Sequence, residues 1–324
     1  MTFRVLSLSG GGFMGFYSAL LLAEIEDRIE GPIAERFDLI AGTSIGGIIG
    51  LGLAAGVPAR DIVASFERHG EAIFSGRSAP KSPHQLAIDV LRYIRGAKYS
   101  SDALAATIRE ILGEMKMRDL GTRVLVPAVD IDAGRPHIFR GPGCAQSGDL
   151  KALDVALATS AAPTIFPMHV IDGIHYADGG VFAQSPDVLA MTEAKSRFKQ
   201  HDEDIAMLSI GTTTQGFEFG PLRSPSLGLT DWVENQRMLR LSWAMQQQCA
   251  GLVAGETLGA RYLRLDSSQS THDAAVLGLD VAAPEARSRL RAMARSRISG
   301  LSPQEAAWIA LELGAPQLPA EAAE

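Results

Sequence analysis

The feature that most restricts the possible folds is an uncharged run of 21 residues from Leu39 to Ala59. A run of this length is sufficient for a helix to cross a bilayer, so a membrane span is the first interpretation to weigh. However, the run has a polar break at Thr43 and Ser44 and contains six glycines, which weaken a helix: Gly42, Gly46, Gly47, Gly50, Gly52 and Gly56. The pattern therefore favours a strand that turns sharply into a buried helix.

Short apolar runs alternate with helical patterns along much of the chain. Buried strands are predicted at residues 4–9, 37–41, 122–131 and 205–210, and helical patterns lie between them. This alternation is typical of an α/β fold in which a central, mostly parallel sheet lies between layers of helices.

The pattern changes after Gly211, where a loop and then further helices follow. A length of 324 residues is that of one large domain, or of one domain with an appendage. We expect a catalytic core at residues 1–211, a helical extension that covers it at 212–313, and a flexible tail at 314–324, which is rich in Ala, Pro and Glu.

Charge and cysteine content exclude several classes of protein. The net charge of −7 disfavours binding to duplex nucleic acid through a broad basic surface. Two cysteines, Cys144 and Cys249, are too few for a disulfide framework or a cysteine-based zinc site, and free thiols suit a reducing cytoplasm. No signal peptide is evident in the first residues, so we expect a cytoplasmic protein.

The motif Gly42-Thr43-Ser44-Ile45-Gly46 lies between a predicted strand and a predicted helix. Glycines at both ends allow a sharp turn, which projects the Ser44 hydroxyl at the sheet edge above a helix N-terminus. The motif therefore predicts either a nucleophilic serine or a tight turn with a capping serine.

A second glycine motif, Gly10-Gly11-Gly12, follows the first predicted strand, and Gly15 lies three residues further on. Free backbone N–H groups in such a turn can form an oxyanion hole. The alternative is a dinucleotide loop, but this requires an acidic residue at the end of the second strand, where the serine motif stands instead.

The third motif, Asp178-Gly179-Gly180, ends another predicted strand. An aspartate at this position is suited to act as the general base of a serine, although Asp-Gly-Gly is also a common turn. His169 and His175 lie close to it in sequence and are candidates for a Ser-His-Asp triad. No acidic or histidine cluster has the spacing of metal ligands, so we expect no metal and no cofactor.

These three motifs, in this order, resemble those of the patatin-like phospholipases, and so does the stretch from Ala158 to Pro167. The resemblance covers about residues 3–211 and implies a three-layer sandwich fold. It also implies a Ser44–Asp178 dyad without a histidine, an oxyanion held by the glycine turn, and an acyl-serine from which water releases a fatty acid. The chain departs from the family at Met14, where relatives often carry a basic residue, and at residues 184–186, which replace Asn-Asn-Pro.

Two stretches resemble one group within this family more specifically, the bacterial patatin-like effectors of anti-phage signalling. They are residues 8–13 and 130–137. This resemblance implies activation by a cyclic dinucleotide, degradation of phospholipids at the inner membrane surface, and assembly into a homo-oligomer. A nucleotide-binding signalling module without lipase activity is the non-enzymatic alternative.

Two segments outside these motifs are candidates for regulation or membrane contact. The helical pattern at 226–255 contains Trp232 and Trp243, which suit either a water–lipid boundary or core packing. The second segment, at residues 285–297, has an excess of arginines that suits either phosphate groups or a solvated helix face. These are Arg287, Arg289, Arg291, Arg295 and Arg297.

Overall fold

The computed structural model describes residues 2–29, 31–74, 96–213, 226–228, 231–232, 237–270, 273 and 276–314. The helix predicted at residues 84–95 lies outside the described residues, as do most of the loop after Gly211 and all of the predicted tail except Gly314.

An eight-stranded sheet forms the centre of the described chain. Its strands are β1 (Phe3–Leu8), β2 (Leu39–Gly42), β3 (Arg123–Asp130), β4 (Arg135–Gly141), β5 (His169–Ile171), β6 (Ile174–Asp178), β7 (Ile205–Ile210) and β8 (Tyr262–Leu265). They lie in the order β5, β6, β3, β2, β1, β7, β8, and β4 pairs with β3. Only β4 and β6 run opposite to the other six strands, which confirms the mostly parallel sheet.

Helices cover both faces of this sheet. The helices of the described residues are α1 (Gly15–Glu26), α2 (Ile45–Ala54), α3 (Ala59–Ile73), α4 (Asp102–Leu112), α5 (Ala152–Thr159), α6 (Asp187–Ser196), α7 (Arg237–Leu258), α8 (Pro284–Ser299) and α9 (Pro303–Leu313). Successive strand residues point to opposite faces, so Leu6 packs in the core with α1–α5 and α8, whereas Val5 packs in the core with α6. This confirms the three predicted layers.

The uncharged run from Leu39 to Ala59 contains β2 and α2. Every residue of α2 is buried, from Ile45 to Ala54, which confirms the buried helix. In the part of the chain that the structure describes, no helix is long and apolar enough to span a membrane.

Two strands share one edge of β3, and this arrangement positions the site. β4 pairs with β3 from Val124 to Asp130 and so occupies the other edge. β2 pairs in parallel with residues 123–125, and β6 pairs antiparallel with residues 128–130. The carboxyl ends of β2 and β6 therefore point at each other across a gap opposite Val126 and Pro127. A proline, which has no N–H to donate, costs no ladder hydrogen bond in such a gap.

Residues beyond Gly211 contribute to the sheet as well as covering it, because β8 pairs in parallel with β7. Four of the five arginines of α8 are paired with carboxylates of the same chain: Arg287 with Glu71, Arg291 with Glu67, Arg289 with Asp273, and Arg297 with Glu305. The positive charge of this helix is thus largely neutralised within the protein.

Helix α7 has side chains that face the protein, as core packing requires, and exposed apolar side chains, as a water–lipid boundary requires. Trp243 points into the protein and lines a pocket. On the other side, Met238, Met245 and Leu252 recur every seven residues and are between 45% and 66% exposed. The helix therefore packs on the core along one face and presents an apolar face to the surroundings.

Candidate active site

The strand β2 and the helix α2 meet at Ser44, which has the unusual backbone angles φ 55° and ψ −124°. A non-glycine residue rarely adopts a positive φ, and such strain is frequent at functional sites. The turn requires glycine on both sides, because a Cβ on Gly42 would overlap the Gly46 carbonyl and one on Gly46 would overlap the Leu8 carbonyl. The predicted sharp turn is therefore present.

The Ser44 hydroxyl donates a hydrogen bond to Asp178, with 2.6 Å between Oγ and Oδ2. The second oxygen of Asp178, Oδ1, accepts from the N–H of Gly180 at 2.6 Å. The turn after Asp178 also needs glycine, since a Cβ on Gly179 would overlap the Pro127 carbonyl. The gap beside β3 thus brings together two residues that are 134 positions apart in sequence.

Burial sets the protonation of Asp178, which is only 5% exposed. Removal of the carboxylate from water raises its pKa from 3.8 to about 6, and the hydrogen bonds from Ser44 and Gly180 oppose part of this rise. A base with a pKa near 6 is ionised at neutral pH and is nevertheless basic enough to share a proton with a hydroxyl.

Thr159, at the end of α5, links the serine turn to β3 through its hydroxyl. Its hydroxyl accepts from the N–H of Ser44 at 3.0 Å and donates to the Pro127 carbonyl at 2.6 Å. The Pro127 carbonyl therefore faces the gap between β2 and β6. No motif predicted this role for Thr159, whose only signal in the sequence was its place in the stretch from Ala158 to Pro167.

The glycine turn lies opposite the serine, at the end of β1. The N–H of Gly10 donates to the carbonyl of Gln184 at 2.9 Å. Among the described residues, the N–H groups of Gly11 and Gly12 have no acceptor, and both residues line the pocket beside Ser44. Gly12 has a φ of 55°, and a Cβ there would overlap the Leu279 carbonyl.

Two further contacts explain the remaining glycines of the motifs. A Cβ on Gly15 would overlap the side chain of Ile45, so this glycine lets α1 approach the serine turn. The buried side chain of Gln184 fills the space over Gly10 and over Gly180. Gln184 is thus wedged between the glycine turn and the aspartate turn, at the position where the chain departs from the family's Asn-Asn-Pro.

Ser44 and Asp178 open into a pocket of about 510 Å³, which includes space open to solvent. Apart from the polar groups at one end, its walls are apolar. They include Ile48, Phe74, Leu104, Ile165, Phe166, Trp243 and Leu279. A pocket with apolar walls and a few polar groups at one end suits a ligand that joins a hydrocarbon chain to a polar group.

The two candidate triad histidines lie elsewhere and have carboxylate partners of their own. His169 contacts Asp154 at 3.1 Å, and His175 contacts Asp132 at 3.1 Å. Within the described residues, the pocket lining includes no histidine, and no three His, Cys, Asp or Glu side chains are placed to hold a metal ion. The geometry offers Ser44 an aspartate as its partner rather than an imidazole.

A buried polar cluster lies between β7, β8 and the start of α6, beside the loop that follows the aspartate turn. Arg264 of β8 pairs with Asp266 at 2.7 Å and lies 3.9 Å from Asp187, and both carboxylates are fully buried. Arg264 also donates to Ser209 at 2.7 Å, and Asp187 accepts from Ser185, in the loop that follows the aspartate turn. No motif predicted this cluster, whose only signal in the sequence was an arginine within a short apolar strand.

Comparisons with known proteins agree with these motifs. Residues 6–189 match the sequence model of a family described as patatin-like phospholipase. A Pseudomonas aeruginosa protein named cGAMP-activated phospholipase is 36% identical over 269 residues, which cover 82% of this chain and 78% of that protein. A Vibrio cholerae protein of the same name is 34% identical over 322 residues, which cover 90% of this chain and 89% of that protein. Patatin-like protein 1 of Arabidopsis thaliana is 29% identical over 266 residues, which cover 71% of this chain and 64% of that protein.

Proposed function

Since the chain belongs to the patatin-like phospholipase family, we propose that it hydrolyses the acyl ester bonds of membrane phospholipids with a Ser44–Asp178 dyad. The observation that carries the proposal is the 2.6 Å hydrogen bond from the Ser44 hydroxyl to the buried Asp178 carboxylate, at the polar end of an apolar pocket. An acyl chain suits the apolar walls, and its ester carbonyl then lies beside Ser44.

In the first half of the reaction, Asp178 takes the proton of the Ser44 hydroxyl as its oxygen attacks the acyl carbonyl. The tetrahedral intermediate collapses to an acyl-serine, and Asp178 returns the proton to the departing alcohol, a lysophospholipid. In the second half, Asp178 takes a proton from water, whose oxygen attacks the acyl-serine. The fatty acid leaves, and Ser44 recovers its proton.

The negative oxygen of each tetrahedral intermediate requires hydrogen-bond donors in place before the reaction. We assign this role to the N–H groups of Gly11 and Gly12, because they lack an acceptor among the described residues and line the pocket. Gly10 supports the same turn differently, since its N–H is engaged by the Gln184 carbonyl. The proposed oxyanion hole is thus formed by two of the three glycines, and the third fixes their position.

We place the chemistry in residues 1–211 and regard 212–313 as a cover, because the proposed nucleophile, base and oxyanion donors all precede residue 211. Two residues of the cover, Trp243 and Leu279, contribute to the pocket wall. Changes in the cover are therefore expected to alter access to Ser44.

The names of the bacterial relatives support activation by cGAMP, a cyclic dinucleotide. The free thiols of Cys144 and Cys249 support a reducing compartment and hence action at the inner surface of the membrane. Assembly into a homo-oligomer on activation stays a prediction.

The first experiment is fatty-acid release from phospholipid vesicles, with and without cGAMP and a panel of other cyclic dinucleotides. We expect release only with a cyclic dinucleotide, and no release from Ser44→Ala or Asp178→Asn. His169→Ala and His175→Ala are the controls and should retain activity. Loss of activity in either would restore the triad, and release without a nucleotide would remove the requirement for activation. Nucleotide binding without hydrolysis or labelling by a serine-directed phosphonate would favour the non-enzymatic signalling module.

A further inference from the structure

A single side chain of α7 is hydrogen-bonded to the segment that follows the aspartate turn. The Oε1 of Gln246 accepts from the N–H of Gln184 at 3.1 Å, and its Nε2 donates to the carbonyl of Val181 at 3.2 Å. One amide group therefore fixes both ends of residues 181–184. Such a paired contact restrains direction as well as distance, because both hydrogen bonds depend on the plane of the same amide.

Residues 181–184 connect the two halves of the proposed machinery. The segment begins directly after Asp178-Gly179-Gly180, and the N–H of Gly180 donates to the Asp178 carboxylate. It ends at Gln184, whose carbonyl accepts from the N–H of Gly10. A shift of this segment consequently moves the general base and the glycine turn relative to each other.

The neighbouring residues of α7 face the site as well. Trp243, one turn earlier on the helix, lines the pocket. Gln247 is buried, and its Oε1 lies 3.4 Å from Arg264 of the polar cluster. Helix α7 lies beyond residues 6–189, the part that matches the family model, so these contacts tie a segment outside that match to the site.

We propose that Gln246 is a positioning residue that holds Asp178 and the glycine turn in register, so that the rate of acylation of Ser44 depends on the placement of α7. The proposal rests on the proposed function and deepens it, because it assigns to the cover a direct role in the geometry of the dyad. Displacements on the order of 1 Å at a reacting group are sufficient to reduce a rate about a hundredfold.

The test uses the full chain with Gln246→Ala, Gln246→Glu and the control Gln248→Ala. Gln248 is an exposed residue of the same type on the same helix. Three quantities are measured with and without cGAMP: the rate at which a fluorophosphonate probe labels Ser44, kcat and KM for a soluble short-chain ester, and hydrogen exchange of the peptide that contains residues 179–184.

For Gln246→Ala we expect labelling and kcat to fall by about tenfold or more, with KM changed by less than about twofold, because only the reacting geometry is altered. Exchange at residues 179–184 should accelerate. The pH midpoint of the labelling rate should fall, since a looser turn admits water to Asp178. Gln246→Glu keeps the acceptor for Gln184 and loses the donor to Val181, so it should recover part of the rate. Gln248→Ala should match the wild type.

Equal labelling rates and pH midpoints for Gln246→Ala and Gln248→Ala would overturn the proposal, whatever the exchange data show. Faster exchange with unchanged rates would mean that the contact stabilises the segment without positioning the dyad. Failure of the wild type itself to label at Ser44, with and without cGAMP, would instead refute the proposed function, and this proposal with it.

Discussion

Replacement of Asp178 by asparagine tests whether burial controls the ionisation of the dyad. Asparagine has the same shape as aspartate and is neutral at every pH. Its Oδ1 can still accept from the N–H of Gly180, and its Nδ2 can donate to the Ser44 oxygen, so both contacts of the carboxylate have a substitute. The variant therefore removes the charge and the basicity with little change in packing.

The expected change in stability follows from the pKa of Asp178, which rises from 3.8 to about 6 on folding. Each pKa unit corresponds to about 1.36 kcal/mol, so ionising the buried group costs about 3 kcal/mol at neutral pH. Because the pKa is raised in the folded state, the folded protein binds more protons than the unfolded chain between pH 4 and 6. The free energy of unfolding contributed by this group therefore falls as pH rises through that window.

Urea denaturation of the wild type and Asp178→Asn at several pH values between 4 and 7.5 measures this effect. We expect equal stability near pH 4, and near pH 7 the variant should be more stable by about 3 kcal/mol. Ser44→Ala is the matched control. It is also inactive, but it retains the carboxylate and loses a hydrogen bond that lowers its pKa, so its stability should keep the pH dependence and extend it above pH 6.

The pH dependence of activity should also follow the ionisation of Asp178. In the wild type, kcat/KM should fall by about tenfold per pH unit below pH 6, because only the ionised carboxylate accepts the serine proton. A stability difference between wild type and Asp178→Asn that stays constant from pH 4 to 7.5 would refute the reasoning. So would a kinetic midpoint below pH 5, since it would show an aspartate that burial does not perturb.

Further substitutions test the supports of the site. Ser44→Gly should be more stable in urea than Ser44→Ala by about 1 kcal/mol, because glycine adopts the positive φ without strain; equal stability would contradict the strained turn. Thr159→Val should lower the free energy of unfolding by about 1–3 kcal/mol and reduce kcat, because it leaves the N–H of Ser44 and the Pro127 carbonyl without their partner. Gly46→Ala should fail to give soluble, folded protein, as judged by circular dichroism, whereas Gly96→Ala, with no atom within 4 Å of its Cβ, should match the wild type. Arg264→Met should lower the free energy of unfolding by about 3–5 kcal/mol, because it removes the cation that faces two buried carboxylates; a neutral result would show that the cluster does not depend on this charge.

The layers of the fold could be predicted from the sequence because they depend on local patterns. The buried helix α2 and the strands β1 and β7 each follow from residues within a few positions of one another, and so does the hairpin of β5 and β6, whose turn sequence Asp172-Gly173 is a hairpin signal. In the hairpin, Asp172 and Gly173 both have positive φ, as its tight turn requires. The strand predicted at 37–41 begins two residues later, since Phe37 closes a short 3₁₀ helix instead.

The supports of the site could not be predicted, because they depend on contacts between distant segments. Thr159 and Ser44 are 115 residues apart, and Arg264 and Ser209, which face each other on neighbouring strands, are 55 residues apart. Nothing in the sequence near Gln184 indicates that its side chain fills the space over Gly10. Nor does the sequence distinguish the three glycines of the turn: within the described residues, the N–H of Gly10 has an acceptor, whereas those of Gly11 and Gly12 have none.

Because β2 and β6 both pair with the same edge of β3, this strand sets the distance between Ser44 and Asp178. The separation between the ends of the two strands is set by the residues of β3 that neither strand pairs with, Val126 and Pro127. Loss or gain of one residue there would change the spacing by about 3.3 Å and turn the following side chains to the opposite face. Lengthening the loops that lead into β2 or β6 leaves this spacing unchanged. These loops can therefore vary in length without changing the distance between Ser44 and Asp178, provided that Val126 and Pro127 stay between the paired parts of β3.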